Sequence, residues 1–206
     1  MRTGWQDGAA LWSRMAAAMA ILLLAGCVAQ RVRPDASLLA AQERRESALA
    51  TRADWTLAGR LAVSGPADGG SGALEWSQHG HAFRFSVQAP VTGKTWILSG
   101  DSEHARIEGL SAEVLHGSDA TTLVERELGW KLPVEQFAAW VRGARAPGSA
   151  ELEFRPDGLP SLLVQDGWRV EYLDYMSDVE PALPKRIFAS QGDYKVRLVV
   201  QRWQMP

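Results

Sequence analysis

Hydrophobic and polar positions along this 206-residue chain change period several times, and each change predicts an element. An unbroken apolar run over 15–25 comes first, then a polar stretch with a proline up to Asp35. Residues 38 to about 50 are good helix formers (Ala, Leu, Glu, Arg), and Ser37 is placed to cap them. The period then becomes two. Trp55, Leu57, Gly59, Leu61 and Val63 alternate with Thr56, Ala58, Arg60 and Ala62, the pattern of a strand with one buried face. A Gly-rich loop over 65–72 leads to a second strand with Leu74 and Trp76 on one face, which makes a hairpin. The same reasoning predicts strands over 81–88 with Phe83, Phe85 and Val87 on one face, over 95–99 after a turn at 90–93, and over 104–108 and 112–116. The period then returns to 3.6. Ser118 or Asp119 begins a helix through Leu123, Val124 and Leu128 that Gly129 ends, and Pro133 opens another through Phe137, Trp140 and Val141 that Gly143 ends. The remainder is strand over 151–155, 159–165, 168–172, 185–189 and 194–203, with turns at Asp157-Gly158 and Gly192-Asp193. The chain is therefore mostly β with α: about eleven strands in a large curved antiparallel sheet, whose apolar face the few short helices must cover.

The first apolar run carries separate information. Arg2 and Arg14 precede it and Gly26 and Cys27 follow, the layout of an export signal. It is far shorter than the roughly 20 apolar residues of a spanning helix, which argues for a leader that is removed. Leu24-Ala25-Gly26-Cys27 matches a lipobox, in which small residues admit the peptidase and the thiol carries lipid; the alternative is ordinary secretory cleavage beside a stray cysteine. The sequence has one cysteine, so no internal disulfide forms even in an oxidising compartment. The expected organisation is a leader over 1–26, a lipidated tether over 27–36 and a single domain over 37–206. Several acyl chains on Cys27 would hold the protein firmly to a membrane, and Val28, where an aspartate would favour inner-membrane retention, points to the outer one.

Composition removes other classes. Arg2, Arg14 and Asp7 lie in the leader, so the 22 basic and 24 acidic side chains become 20 and 23 in a mature chain of 180 residues. That near balance offers no footprint for nucleic acid. Seven of the nine tryptophans remain, which suits either an aromatic core or an apolar cavity or membrane-facing rim. His79 and His81 flank Gly80 in what reads as a turn, with no cysteine and no suitably spaced carboxylate to complete a metal site. No G-x-S-x-G is present, and Gly93-Lys94-Thr95 is not a phosphate loop, because Gln88 stands where its first glycine belongs. No enzyme chemistry, metal or cofactor is expected.

With the elements laid out, several strings resemble the LolB family of outer-membrane lipoproteins. They are Trp55-Thr56-Leu57-Ala58-Gly59-Arg60-Leu61-Ala62-Val63 with Ser71-Gly72-Ala73-Leu74-Glu75-Trp76, then Leu132-Pro133-Val134 leading to Trp140-Val141-Arg142-Gly143. Gln165-Asp166-Gly167-Trp168-Arg169-Val170-Glu171-Tyr172, Leu183-Pro184 before Arg186-Ile187, and the closing 196–203 complete the series. The resemblance implies a half-open barrel with helices as a lid over an apolar cavity for acyl chains. It implies a monomer that takes acylated lipoprotein cargo from a periplasmic LolA-like carrier and inserts it into the inner leaflet of the outer membrane. It also implies a protruding loop that meets membrane lipid, here Pro90, Val91, Thr92 and Gly93, with valine in place of the family's common leucine and one residue added. Apolar strand faces nominate Leu57, Leu61, Leu74, Trp76, Phe83, Phe85, Trp168, Val170, Val196 and Leu198 as cavity residues, without separating cavity from core. The soluble LolA-like carrier shares the fold but lacks an anchor. The alternative from another class is a lipid-anchored structural subunit of an outer-membrane assembly complex.

Overall fold

Alternation of apolar and polar residues yields eleven strands: β1 Asp54–Ser64, β2 Gly69–His79, β3 Ala82–Gln88, β4 Thr95–Gly100, β5 Ala105–Glu108, β6 Leu115–Gly117, β7 Ala150–Phe154, β8 Pro160–Gln165, β9 Trp168–Met176, β10 Leu183–Gln191 and β11 Tyr194–Gln204. Three helices complete the secondary structure of the described residues: α1 Ala36–Ala50, α2 Ala120–Leu128 and α3 Val134–Trp140. The computed structural model describes residues 31–66 and 69–205, so the leader, Cys27 and the first part of the tether lie outside the described residues. Arg31–Pro206 forms one compact unit. Its hydrophobic cluster, among the described residues, draws on the sheet and on all three helices.

All eleven strands join one antiparallel sheet in the order β6-β5-β4-β3-β2-β1-β11-β10-β9-β8-β7. Two meanders, β1 to β6 and β7 to β11, thus meet at a seam where β1 pairs with β11. Topology then dictates the lid. The chain leaves the sheet at one edge, β6, and re-enters at the opposite edge, β7, so residues 118–149 with α2 and α3 cross from edge to edge. The far edge is partly covered: Val32 exchanges two backbone hydrogen bonds with Phe154 (2.7 and 2.9 Å), and Arg31 pairs with Glu153 and Glu171. That blunts an edge that would otherwise invite further strands. It also means that the last part of the expected tether lies along β7.

Several local expectations are corrected. The cap of α1 is Asp35, whose carboxylate accepts from the N–H groups of Ser37 (2.8 Å) and Leu38 (2.9 Å); Ser37 Oγ donates to the same oxygen. These bonds, the Ser37 side chain's foremost, hold the Asp35 carboxyl below its usual range. The second half of the glycine-rich stretch is strand, because β2 begins at Gly69. Gly72 is needed there: a Cβ would meet the Gln88 carbonyl at 2.4 Å. The sixth strand covers only Leu115–Gly117, since residues 109–114 turn about Gly109, where φ is +85°. The period-two rule also slips inside β11, where Val196, Leu198 and Val200 face inward and so does Trp203. The register shifts by one residue there, opposite Ala58 and Gly59, and a Cβ on Gly59 would lie 2.3 Å from the Val199 carbonyl.

Candidate functional site

The concave face and the crossing segment enclose an apolar interior. The sheet supplies Trp76 from β2, Phe85 from β3, and Trp96 and Leu98 from β4; the lid supplies Val124, Trp130, Leu132, Val134 and Phe137. No ionisable or amide side chain lines the space between them, and that space is small, about 10 Å³, room for roughly one water molecule. Aromatic rings fill the rest. Phe137 stacks on Trp76 (centroids 6.0 Å apart, planes at 21°), Trp130 meets Trp96 edge-on at 5.7 Å, and Phe85 lies between Trp76 and Trp96. Gly70 gives Trp130 its seat, since a Cβ there would approach the indole to 2.9 Å. Little free space remains between these rings.

The two ends of the lid are held differently. Beyond α3 the chain is fixed by polar contacts to α1 and the sheet. Arg45 donates to the carbonyls of Gly143 (2.8 Å), Arg142 (2.7 Å) and Ala182 (2.8 Å), and Gln42 donates to Gly143 as well. Arg142 donates to the Leu49 carbonyl and lies over the Trp55 ring. Gln165 accepts from Trp140 Nε1 and the Ala146 N–H, both at 2.9 Å, and Tyr172 donates its hydroxyl to the Trp140 carbonyl. Glu46 meets Arg145 at 2.7 Å. Burial raises the Glu46 carboxyl, but the hydrogen bonds from Arg145 outweigh it and leave the group below its usual range. Burial lowers the pKa of Arg45 and Arg142, which stay charged because guanidinium starts so high. The earlier half of the lid is different. Asp119 caps α2, Gly129 ends it at φ +67°, and the Val134 N–H donates to Thr121 Oγ1 within the lid. Its polar links to the sheet, among the described residues, are Arg126 to the His116 carbonyl and Lys131 over the Tyr194 ring.

At one end of the sheet, the turn between β3 and β4 projects a single valine. The Ala89 N–H donates to the Lys94 carbonyl (2.8 Å) and the Gly93 N–H to the Ala89 carbonyl (3.1 Å), with Gly93 at φ +66°. The backbone is thereby fixed without the side chain of Val91, which is 94% exposed. Leu110 and Val114 are also exposed, on the β5–β6 connection at the same end, where Gly109 packs on the Thr95 carbonyl.

A family model described as outer membrane lipoprotein LolB matches residues 53–203, nearly the whole sheet and its lid. The chain belongs to the LolB family. The outer-membrane lipoprotein LolB of Xanthomonas campestris pv. campestris (strain B100) is 38% identical over 171 residues, covering 80% of this chain and 78% of that protein. The LolB of Xanthomonas oryzae pv. oryzae (strain MAFF 311018) is 39% identical over 165 residues, 77% of this chain and 76% of that one. Among solved structures, a LolA superfamily protein from Nitrosomonas europaea superposes on 82% of this chain and 93% of its own with a TM-score of 0.51 at 8% identity, a likeness of fold alone. This LolB-family chain is an outer-membrane lipoprotein. Among the described residues no helix is long and apolar enough to cross a membrane.

Of the ten nominated cavity residues, Trp76 and Phe85 line the space under the lid. Leu57, Leu61, Leu74, Trp168, Val170, Val196 and Leu198 are buried in the surrounding core, and Phe83 is half-buried on β3. Sequence reading missed Trp96, Leu98 and the lid residues Val124, Trp130, Leu132, Val134 and Phe137. The helical residues were visible as apolar positions, but nothing in their spacing says which strand they meet. Pro90, Val91, Thr92 and Gly93 stand together on the turn where the sequence places them. His79 faces Asp54 at 3.7 Å, and both are exposed.

Proposed function

We propose that this protein works in lipoprotein localisation: anchored by lipid on Cys27, it takes acylated lipoproteins from a periplasmic LolA-like carrier and delivers them into the inner leaflet of the outer membrane. In this reading residues 1–26 are removed and the short segment after Cys27 joins the anchor to the domain. The observation that carries it is the enclosed interior, walled by apolar and aromatic side chains from both sheet and lid. Each methylene brought into water costs about 0.8 kcal/mol, so ten of them cost about 8 kcal/mol, and a dry interior offsets that cost without nucleotide or catalysis. Because the cavity holds about 10 Å³, an acyl chain enters only as lid residues give way. The early half of the lid, with few polar links to the sheet, is the part that moves. Direction then follows from affinity: tighter than the carrier, weaker than the bilayer.

The test is transfer of an acylated lipoprotein from its carrier to the purified domain, followed by its release into vesicles. Recovery of a stoichiometric domain–lipoprotein complex is the expected result. Failure to take cargo, together with stable recovery in a large outer-membrane complex, would favour the alternative of a structural subunit.

A further inference from the structure

The outer face of the sheet carries a groove that the interior leaves unused. It holds about 620 Å³ and runs across β11, β1, β2 and β3 to the loop after β3. Register fixes its geometry. Val199, Arg60, Ala73 and Gln88 stand side by side on four successive strands, and Arg197, Ala62 and Ser71 form the next row. Alanines at 62 and 73 keep the floor low, while the arginines rise at its side; Pro90 and Gly93 close the far end. Arg60 and Arg197 are diagonal neighbours, about 7 Å apart at the backbone.

Two unpaired cations on adjacent strands make a positive patch that draws an anion. Three other arginines on the outer face are already paired with a carboxylate, Arg106 with Glu108 (3.2 Å), Arg169 with Glu171 (2.9 Å) and Arg186 with Asp174 (3.6 Å), whereas Arg84 and Arg202 on that face are in no ion pair among the described residues. Among the described residues, neither Arg60 nor Arg197 has a carboxylate within ion-pair distance; Arg197 lines the groove while its guanidinium lies over the Phe188 ring of the next strand, β10. Glu75, further along β2, belongs to a separate groove with Arg84 and Arg202.

We propose that this groove binds the phosphodiester headgroup of an anionic phospholipid, with Arg60 and Arg197 as its counter-charges, while Val91 enters the bilayer. The proposal rests on the membrane-facing reading of the loop. Continuity selects a lipid as the occupant: Pro90 and Gly93 wall the groove and flank Val91, and Lys94 is exposed beside them. Half-exposed Val199, in the same row as Arg60, offers apolar contact to the glycerol end of the headgroup. Guanidinium suits the ligand because its planar fork meets phosphate oxygens two at a time.

The experiment measures binding of the protein carrying Cys27→Ser, so that no lipid on residue 27 masks the groove, to vesicles of phosphatidylcholine alone and of phosphatidylcholine with about a third phosphatidylglycerol. The double variant Arg60→Gln with Arg197→Gln should lose roughly 25-fold in affinity for the anionic vesicles, about fivefold per arginine, and nothing on the neutral ones. Arg84→Gln with Arg202→Gln removes the same charge from the neighbouring groove and should lose far less. Inorganic phosphate at constant ionic strength should not compete, since a free anion lacks the membrane that positions the headgroup. Equal losses in the two double variants would reduce the effect to diffuse charge and overturn the proposal. So would equal wild-type binding to both vesicles, or displacement by phosphate. Cargo transfer from the carrier is assayed without vesicles, so a wild-type domain that fails to take cargo overturns the function proposed above, whereas loss of the lipid preference alone overturns only the headgroup site.

Discussion

Val91 sits in a turn whose backbone bonds do not need its side chain, so a change there tests the proposed role in delivery apart from stability. Val91→Glu should change unfolding free energy by no more than about 0.5 kcal/mol, because the site has no packing to lose. It should stop insertion of cargo into vesicles, since a carboxylate must be desolvated to enter the membrane boundary, while acceptance from the carrier continues. Val91→Leu should insert at least as well as the wild type. Glu46 is the opposite case, a side chain that holds the late half of the lid through Arg145. Its folded-state pKa is depressed, so its contribution is complete above the ordinary carboxylate range and is lost as pH falls through the lowered folded value. Glu46→Gln should cost about 1–2 kcal/mol at pH 7, a half-buried pair lying between exposed and buried cases, and chemical denaturation should show the gap to wild type closing as the buffer is made acidic.

Across elements, the contrast between the two halves of the lid predicts an order of opening. Amide exchange in α2 should proceed through local openings of lower free energy than exchange at 141–146, where Arg45, Gln42 and Gln165 hold the backbone carbonyls and amides. Native-state hydrogen exchange measures this directly, and equal protection in the two segments would remove the early lid as the moving part. Element type was legible in the sequence because period two and period 3.6 are written in Trp55 to Val63 and in Leu123 to Leu128. What escaped depends on backbone contact. Gly69 and Gly70 looked like loop because they bring no side chain to the pattern, yet they pair with Ser64 and Val63 all the same. Ser37 and Asp35 are both capping residues, and only the extended backbone at Asp35 (φ −121°) decides between them. Trp203 lies out of phase with Val200 until the register shift is known.

For the whole molecule, the sequence told which strand faces are apolar and could not tell what they face. Alternation assigns Phe85 and Leu198 to the same side of one sheet, although Phe85 meets the lid and Leu198 belongs to the core at the β1–β11 seam. Only the chain path from β6 to β7 distinguishes them, by laying Trp130 and Phe137 over one half of the sheet. That distinction supports a paired experiment. Trp96→Ala removes a half-buried ring that fills the space beneath Trp130, so the cavity should grow and the early lid should lose its partner. Stability should fall by about 2–3 kcal/mol, less than for a fully buried tryptophan. Because the space left is walled by carbon, a single-chain fatty acid finds apolar contact there without first displacing a ring. Calorimetry should therefore find tighter fatty-acid binding in Trp96→Ala than in the wild type. Leu198→Ala should cost a similar 2–5 kcal/mol and leave fatty-acid binding as it was, since its cavity opens in the seam, away from the lid. If both variants bind alike, acyl chains do not enter beneath α2 and α3, and the transfer route must lie elsewhere on the sheet.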